Sequence, residues 1–376
     1  MRILLSPGYA DLGANPYLRL LYSQLTDSGI ELERFSARAL VKRHDVVHVN
    51  WPEFLVRWRS PRLAVYDVVK VVVLVRWARH RGAAIVWTAH NLEPHELPRP
   101  RLWRRYFSWF LASLDLVVAM GPGAIELLRQ RYSELASVPA VVVPHGHYRG
   151  AYPEASDESA TALRSSLGID EDVRRPVLLS FGLIRRYKNV GVLAQEWCEL
   201  PVPRPHLVVA GAPSDPDMER SIRAAVGGDP DAHLLLRYIP DDEVAALFDI
   251  CDVVVVPYQT RSALNSGVAM LGLSFGRPVV LTDTPASRDL QTLVGREWVH
   301  LCDGSAQDAL RVALAAARQA RADAPNLDTL EWAELFARTV DAYRLAVRTR
   351  QLRNRFPARG GDSVEPALMV APSEVE

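Results

Sequence analysis

The sequence predicts an α/β protein built from two doubly wound halves. Three observations carry that prediction. Two successive series of short apolar runs are separated by helix-length segments, a polar stretch at Gly150–Ala160 divides the series, and Ser180–Val190 turns from a strand through a glycine into basic residues. Alternation of this kind gives a parallel sheet with helices on both faces. A length of 376 residues suits two domains, each with its own core. Hydrophobic content of 49% with 23% charge is that of a soluble globular chain. Net charge is zero but unevenly spread: residues 1–160 hold 20 Lys and Arg against 15 Asp and Glu, leaving 24 against 29 in the remainder. The excess suggests an anionic surface or ligand near the first half.

In the first half, Arg2–Ser6 reads as a strand, Pro7–Pro16 as a loop of breakers and Tyr17–Ser28 as a helix with Leu18, Leu21, Tyr22 and Leu25 on one face. The loop puts Gly8, Gly13 and Asn15 where a first βα turn faces a ligand crevice, without the GxGxxG of a nicotinamide site. Asp45–Asn50 is the next strand and ends in Trp51-Pro52-Glu53. Leu63–Ala78, interrupted by Asp67, Lys70 and Arg76, is too polar to span a bilayer and is expected as a buried helix. Ala84–Thr88 is a strand running into His90-Asn91-Leu92-Glu93-Pro94, and Leu114–Ala119 and Ala140–Val143 follow as strands. His48, Glu53, His90, Glu93 and His145 thus fall at strand ends, where such sheets bind ligands.

After the linker come strands at Val177–Ser180, His206–Ala210, His233–Leu236, Val253–Val256 and Val279–Leu281, with helices between, Asp241–Phe248 the clearest. Leu330–Arg353 is a long amphipathic helix, and the Pro-, Gly-, Ser- and acid-rich end is expected as a disordered tail. The expected division is therefore residues 1–160, 161–329, a terminal helix 330–353 packing back on the first domain, and a tail 354–376. Cys198, Cys251 and Cys302 have neither zinc nor disulfide spacing, which with the lack of a signal-like N-terminus points to the cytoplasm.

The turn FGLIRRYKNV, LVVAGAP at 207–213, RYIPDDEVAALFDICDVVVVPY at 237–258 and TAHN at 88–91 resemble the corresponding segments of the GT-B glycosyltransferases, in particular relatives of the family-four group. Asn15-Pro16-Tyr17, Trp51–Glu53, His90–Glu96 and Ser266-Gly267 are similar to a sub-group that includes xanthan-type β-1,4-mannosyltransferases. The resemblance implies two Rossmann-like domains facing a central cleft, with the acceptor in the first and a nucleotide-sugar, GDP-mannose best of all, in the second. It implies that Gly182, Arg185 or Arg186, Lys188, Tyr238, Tyr258, Asn265, Ser266 and Gly267 hold the donor, and that Gly13 and Asn15 lie on the acceptor side. This chain departs at Leu183, where arginine is common, and at Leu271, where one of two glutamates of the retaining members belongs. That loss favours inversion. Two other readings stay open: a UDP-sugar donor on the same fold, and a silent nucleotide-sugar-binding subunit.

Sugar transfer with inversion needs positive charge on the leaving diphosphate and a base for the acceptor hydroxyl. Lysine, arginine and helix N-termini supply the first without a metal or other cofactor. The triplets Asp215-Pro216-Asp217 and Asp229-Pro230-Asp231 have a central proline and read as turns, so no metal site is expected. His90, Glu93 and Glu53 are the candidates for base, with Glu93 favoured because its loop, with prolines after it, suits a positioned side chain; alternatively HNLEP is a tight turn in which His90 touches the donor sugar and Glu93 caps a helix. The window 57–105 holds 11 Lys and Arg against 3 acids, and Arg101–Phe110 mixes arginine with aromatics. This suits an anionic membrane carrying a polyprenyl-diphosphate acceptor, at the inner face of the plasma membrane, or equally a helix whose aromatics face the core. Neutral charge overall and no recognition motif argue against nucleic acid.

Overall fold

A computed structural model describes residues 1–7, 16–27, 29–36, 42–94, 99–169, 175–258, 263–319 and 324–355. The chain divides into two compact units. Unit 1 comprises residues 1–120, 124–143 and the chain from 335 onward; unit 2 comprises 121–123 and 144–334.

Unit 1 runs β1 (Arg2–Ser6), α1 (Pro16–Asp27), β2 (Glu31–Arg34), β3 (Val46–Val49), α2 (Pro61–His80), β4 (Ala84–Thr88), α3 (Pro100–Ala112), β5 (Leu116–Ala119), α4 (Pro122–Arg131) and β6 (Ala140–Val142). Its sheet has the order β2-β1-β3-β4-β5-β6 and every pairing is parallel. β3, β4 and β5 are buried along their whole length, which is why they read as unbroken apolar runs. β2, the edge strand ELER, alternates nothing and was invisible as a strand in the sequence.

Unit 2 runs α5 (Asp157–Ser166), β7 (Val177–Phe181), α6 (Val190–Cys198), β8 (His206–Ala210), α7 (Pro216–Val226), β9 (Ala232–Leu235), α8 (Asp241–Ile250), β10 (Val253–Val256), α9 (Gly267–Ser274), β11 (Val279–Thr282), α10 (Pro285–Val294), β12 (Val299–Cys302) and α11 (Ala306–Ala317). Its parallel sheet is ordered β12-β11-β10-β7-β8-β9, the doubly wound 3-2-1-4-5-6 arrangement. Trp197 is fully buried in its core, and its Nε1 donates to the Pro205 carbonyl at 2.9 Å. α12 (Trp332–Arg355) begins among unit 2 residues, where Trp332 Nε1 donates to the His147 carbonyl at 2.8 Å, and has its body in unit 1.

Two segments differ from the sequence reading. The polar stretch 150–160 contains the start of α5, capped by Ser156, whose hydroxyl accepts from the Ser159 amide. Residues from Pro144 belong with unit 2 because Tyr148 donates its amide to Ser274 and Arg149 reaches the Pro325 carbonyl. α2 is not a buried helix: Ala64, Val71, Leu74, Val75 and Ala78 face inward while the opposite face is open. The expected tail falls, from residue 356 on, outside the described residues.

Candidate active site

In a doubly wound sheet the ligand crevice opens at the carboxyl ends of the strands where the winding reverses. For unit 2 that point lies between β7 and β10, which pair directly. The chain leaving β7 passes through Gly182 at φ +88°, a conformation that favours glycine. A Cβ there would stand 3.4 Å from Lys188 Nζ and 3.3 Å from Val268 Cγ2, so the glycine lets the lysine ammonium and the first turn of α9 close on the same backbone. The loop is fixed from the side of β8: the Gly182 amide donates to the Ala210 carbonyl and that of Ile184 to Ala212, both at 2.9 Å. Gly211 completes the contact, since a Cβ on it would meet the Gly182 carbonyl at 2.3 Å.

Lys188 ends a short 3-10 turn, Arg186–Lys188, and is half-buried. No carboxylate pairs with it among the described residues. Burial first, then the neighbouring Arg185, lower its pKa to about 8. Arg185, also half-buried, lies beside it, whereas Arg186 is mostly exposed and turned toward Asp215 at 3.6 Å. Two cations are thus held together without an anion among the described residues, a costly arrangement unless an anion arrives. α9 adds its N-terminus: Ser266 Oγ accepts from the Ala269 amide at 3.2 Å, and the preceding helical amides have no partner in the helix itself. Tyr258 approaches Ser266 Oγ at 3.4 Å and meets Tyr187 edge-on at 5.4 Å. Gly267 is also near Tyr148, whose hydroxyl would lie 3.4 Å from a Cβ there. Asn265 is half-buried just before this cap, and Tyr238, after β9, stands 72% exposed. Tyr187 and Tyr148 carried no signal in the sequence beyond being aromatic.

The corresponding point in unit 1 lies between β1 and β3. Gly8, Gly13 and Asn15 fall outside the described residues. After β3 come Asn50, Trp51, Pro52 and Glu53; after β4 comes His90. Trp51 stacks on the His90 ring at 4.4 Å, and Tyr17 meets it edge-on. The Asn50 amide donates to Tyr22 Oη at 2.6 Å, which leaves its Oδ1 to accept from His90 Nε2 at 3.1 Å. Deeper, His48 Nδ1 accepts from Tyr343 Oη and its Nε2 donates to Thr88 Oγ1, each at 2.8 Å. Burial drives His48 down to about 3, so this imidazole is neutral.

A small pocket is lined by Asn50, Trp51, Glu53, Trp87, His90 and Leu92 among others. No cation faces the Glu53 carboxylate among the described residues, and burial raises its pKa to about 7. Glu93 sits differently: half-exposed, it accepts from Arg131 Nε at 2.8 Å. On α3, Trp103, Tyr106, Phe107 and Phe110 face the core, so four of the five aromatics are not offered to a membrane, while Trp109 is half-buried and Arg101, Arg104 and Arg105 stay exposed. Of the aspartate triplets, Asp215 caps α7, Asp229 pairs with Arg204 and Asp231 pairs with Arg175. No helix among the described residues is long and apolar enough to cross a membrane.

The family described as glycosyl transferases group 1 matches residues 175–317, the part that holds the cationic turn. Two sequences from Xanthomonas campestris pv. campestris, both named GDP-mannose:glycolipid 4-beta-D-mannosyltransferase, are 31% identical over 341 residues, which is 88% of this chain and 88% of theirs. The chain belongs to the group 1 glycosyltransferases. This transferase also shares its fold with solved structures. Anabaena HepE in complex with UDP and glucose gives a TM-score of 0.58 at 15% identity, over 95% of this chain and 99% of that one. A Burkholderia vietnamiensis trehalose-phosphate synthase gives 0.59 at 13%, over 93% and 99%. The fold of the transferase is accordingly GT-B.

Proposed function

We propose that this transferase moves mannose from GDP-mannose, with inversion, to a glycan borne on a polyprenyl diphosphate at the inner face of the plasma membrane. The observation that carries the reading is the pair of half-buried cations, Lys188 and Arg185, with no carboxylate partner among the described residues. A sugar diphosphate supplies the missing charge, and the likeness to the Xanthomonas enzymes supports the choice of sugar and base. As the acceptor oxygen bonds to the anomeric carbon, the bond from that carbon to the diphosphate oxygen breaks. Lys188, Arg185 and the amides at Ser266–Gly267 hold the charge that develops on the leaving GDP. Glu53 accepts the acceptor's hydroxyl proton; a carboxyl held near neutrality by burial is matched to that task. Asn50 holds the His90 ring against the sugar. Glu93 is tied to Arg131 and is the weaker candidate.

Calorimetry with GDP, UDP and their mannose and glucose conjugates tests the donor: GDP-mannose is expected to bind and UDP-glucose to bind far less. Heat with UDP-sugars alone would overturn the donor assignment. Proton NMR of the product then reads its anomeric configuration, and an α-linked mannose would overturn inversion. Activity is expected to survive a chelator, because protein cations do the work of a metal.

A further inference from the structure

Helix α2 has two apolar faces. The inner one packs on the sheet; the outer one exposes Leu63, Val65, Tyr66, Val69, Val73 and Trp77 by 40–62%. No other described element exposes more than one large hydrophobic side chain. Tyr66, Val69, Val73 and Trp77 recur at helical spacing and form one stripe along a helix about 30 Å long. Phe54, 70% exposed, lies in the short turn that precedes the helix, its ring tilted against Trp51 at 5.9 Å.

Among the described residues, the exposed charges of α2 and the turn before it at this face have one sign. Arg59, Arg62, Lys70 and Arg76 are exposed around the stripe, and the Arg81 guanidinium lies 5.7 Å from the Trp77 ring. Asp67, the one acid of α2, is buried and spent on Arg57, whose Nε and Nη2 reach it at 2.7 and 2.8 Å. We infer that the outer face of α2 docks on an anionic lipid surface, the helix lying flat with Tyr66 and Trp77 at headgroup depth. A second copy of this chain fits less well. A two-fold contact sets the patch against itself, and this patch offers cations to cations with no acid between them. The inference deepens the proposed function, for it supplies the surface on which a lipid-borne acceptor meets unit 1. It replaces α3, whose aromatics other than Trp109 are inside.

Flotation of the full chain with phosphatidylcholine vesicles, with and without phosphatidylglycerol, tests it in the absence of donor and acceptor. Binding is expected only with the anionic lipid and is expected to fall as salt rises. Lys70→Gln and Arg76→Gln should each reduce partitioning about five-fold, and Val69→Ser with Val73→Ser should abolish it. All should retain GDP binding and transfer to a lipid-free acceptor. Should the serine variant not fold, Trp77→Phe serves instead: brominated lipid should quench the wild-type emission, and quench the variant's less. Failure to float with anionic vesicles overturns the inference, as does flotation unaffected by the substitutions. A dimer in sedimentation velocity that the serine variant disperses would give the face to a second copy. Since the donor calorimetry contains no lipid, a wrong sugar assignment and a wrong docking face give separate results.

Discussion

At the switch point of the second sheet, Lys188 and Arg185 hold positive charge beside a glycine with no carboxylate to meet it among the described residues. At the switch point of the first, burial holds His48 neutral between Tyr343 and Thr88, His90 bonds Asn50, and the Glu53 carboxyl has no cation opposite among the described residues. The backbone plan is similar in both, parallel strands whose winding reverses beside the first strand. Burial acts on both sites in opposite directions. It lowers the lysine toward 8 and raises the glutamate toward 7, because it disfavours whichever form carries charge. One region is thereby prepared to receive an anion and the other to receive a proton.

The sharpest way to break this division of labour is to neutralise each side in turn. Glu53→Gln should reduce kcat by about 10²–10⁴-fold, the range for loss of a positioned base, and leave the calorimetric affinity for GDP as it was. Near-native turnover would remove Glu53 from the chemistry and return attention to Glu93 and His90. Lys188→Met should cost about 10²–10³-fold in kcat and, unlike the glutamate variant, should also weaken GDP. If Lys188→Met kept full affinity for GDP, the cationic turn would not be a diphosphate site, and the contrast between the two regions would collapse.

Much of the fold was legible in the chain because its central strands are buried on both faces and so appear as unbroken apolar runs, such as Val253–Val256 and Ala84–Thr88. Edge strands were not. Glu31–Arg34 is half-exposed and polar, and Val299–Cys302 is short and half-covered, so neither has the pattern that marks a strand. The turn after β7 was legible as a turn for a similar reason, since a glycine and basic residues directly follow an apolar strand; its use for a diphosphate rests on the function proposed above. The choice between Arg185 and Arg186 was not legible, because neighbouring side chains at a strand end differ only in where the backbone sends them. The different surroundings of Glu53 and Glu93 were equally hidden: both follow strands beside prolines, and only burial of the one, with Arg131 across from the other, tells them apart. The open face of α2 escaped because apolar residues stand on both its inner and outer faces, so their spacing does not tell the two sides apart.

Acidity sharpens the comparison next. In the free enzyme the base must be ionised and the lysine protonated, so kcat/KM should rise tenfold per unit up to about pH 7 and fall again above about pH 8. Glu53→Gln should flatten the acidic limb and leave the alkaline one; Lys188→Arg should do the reverse. A profile flat from pH 6 to 9 would detach both groups from the rate.

The smallest effect is also the most local. Arg185 and Arg186 are adjacent in sequence, yet one is half-buried beside Lys188 and the other is exposed toward Asp215. An exposed pair of this length contributes roughly 0–1 kcal/mol, so Arg186→Ala should leave kcat, KM and GDP affinity within about two- to five-fold of the wild type by the same reckoning. Arg185→Ala should raise the KM for the donor markedly more. It should also move the alkaline limb upward, because removing a cation beside Lys188 lets the ammonium keep its proton to higher pH. Equal effects from the two alanines would mean that charge near the turn matters only at long range. In that case salt, which screens exposed charges over about 8–10 Å, should erase both effects together, whereas a diphosphate gripped by Arg185 alone should leave its loss visible at high ionic strength.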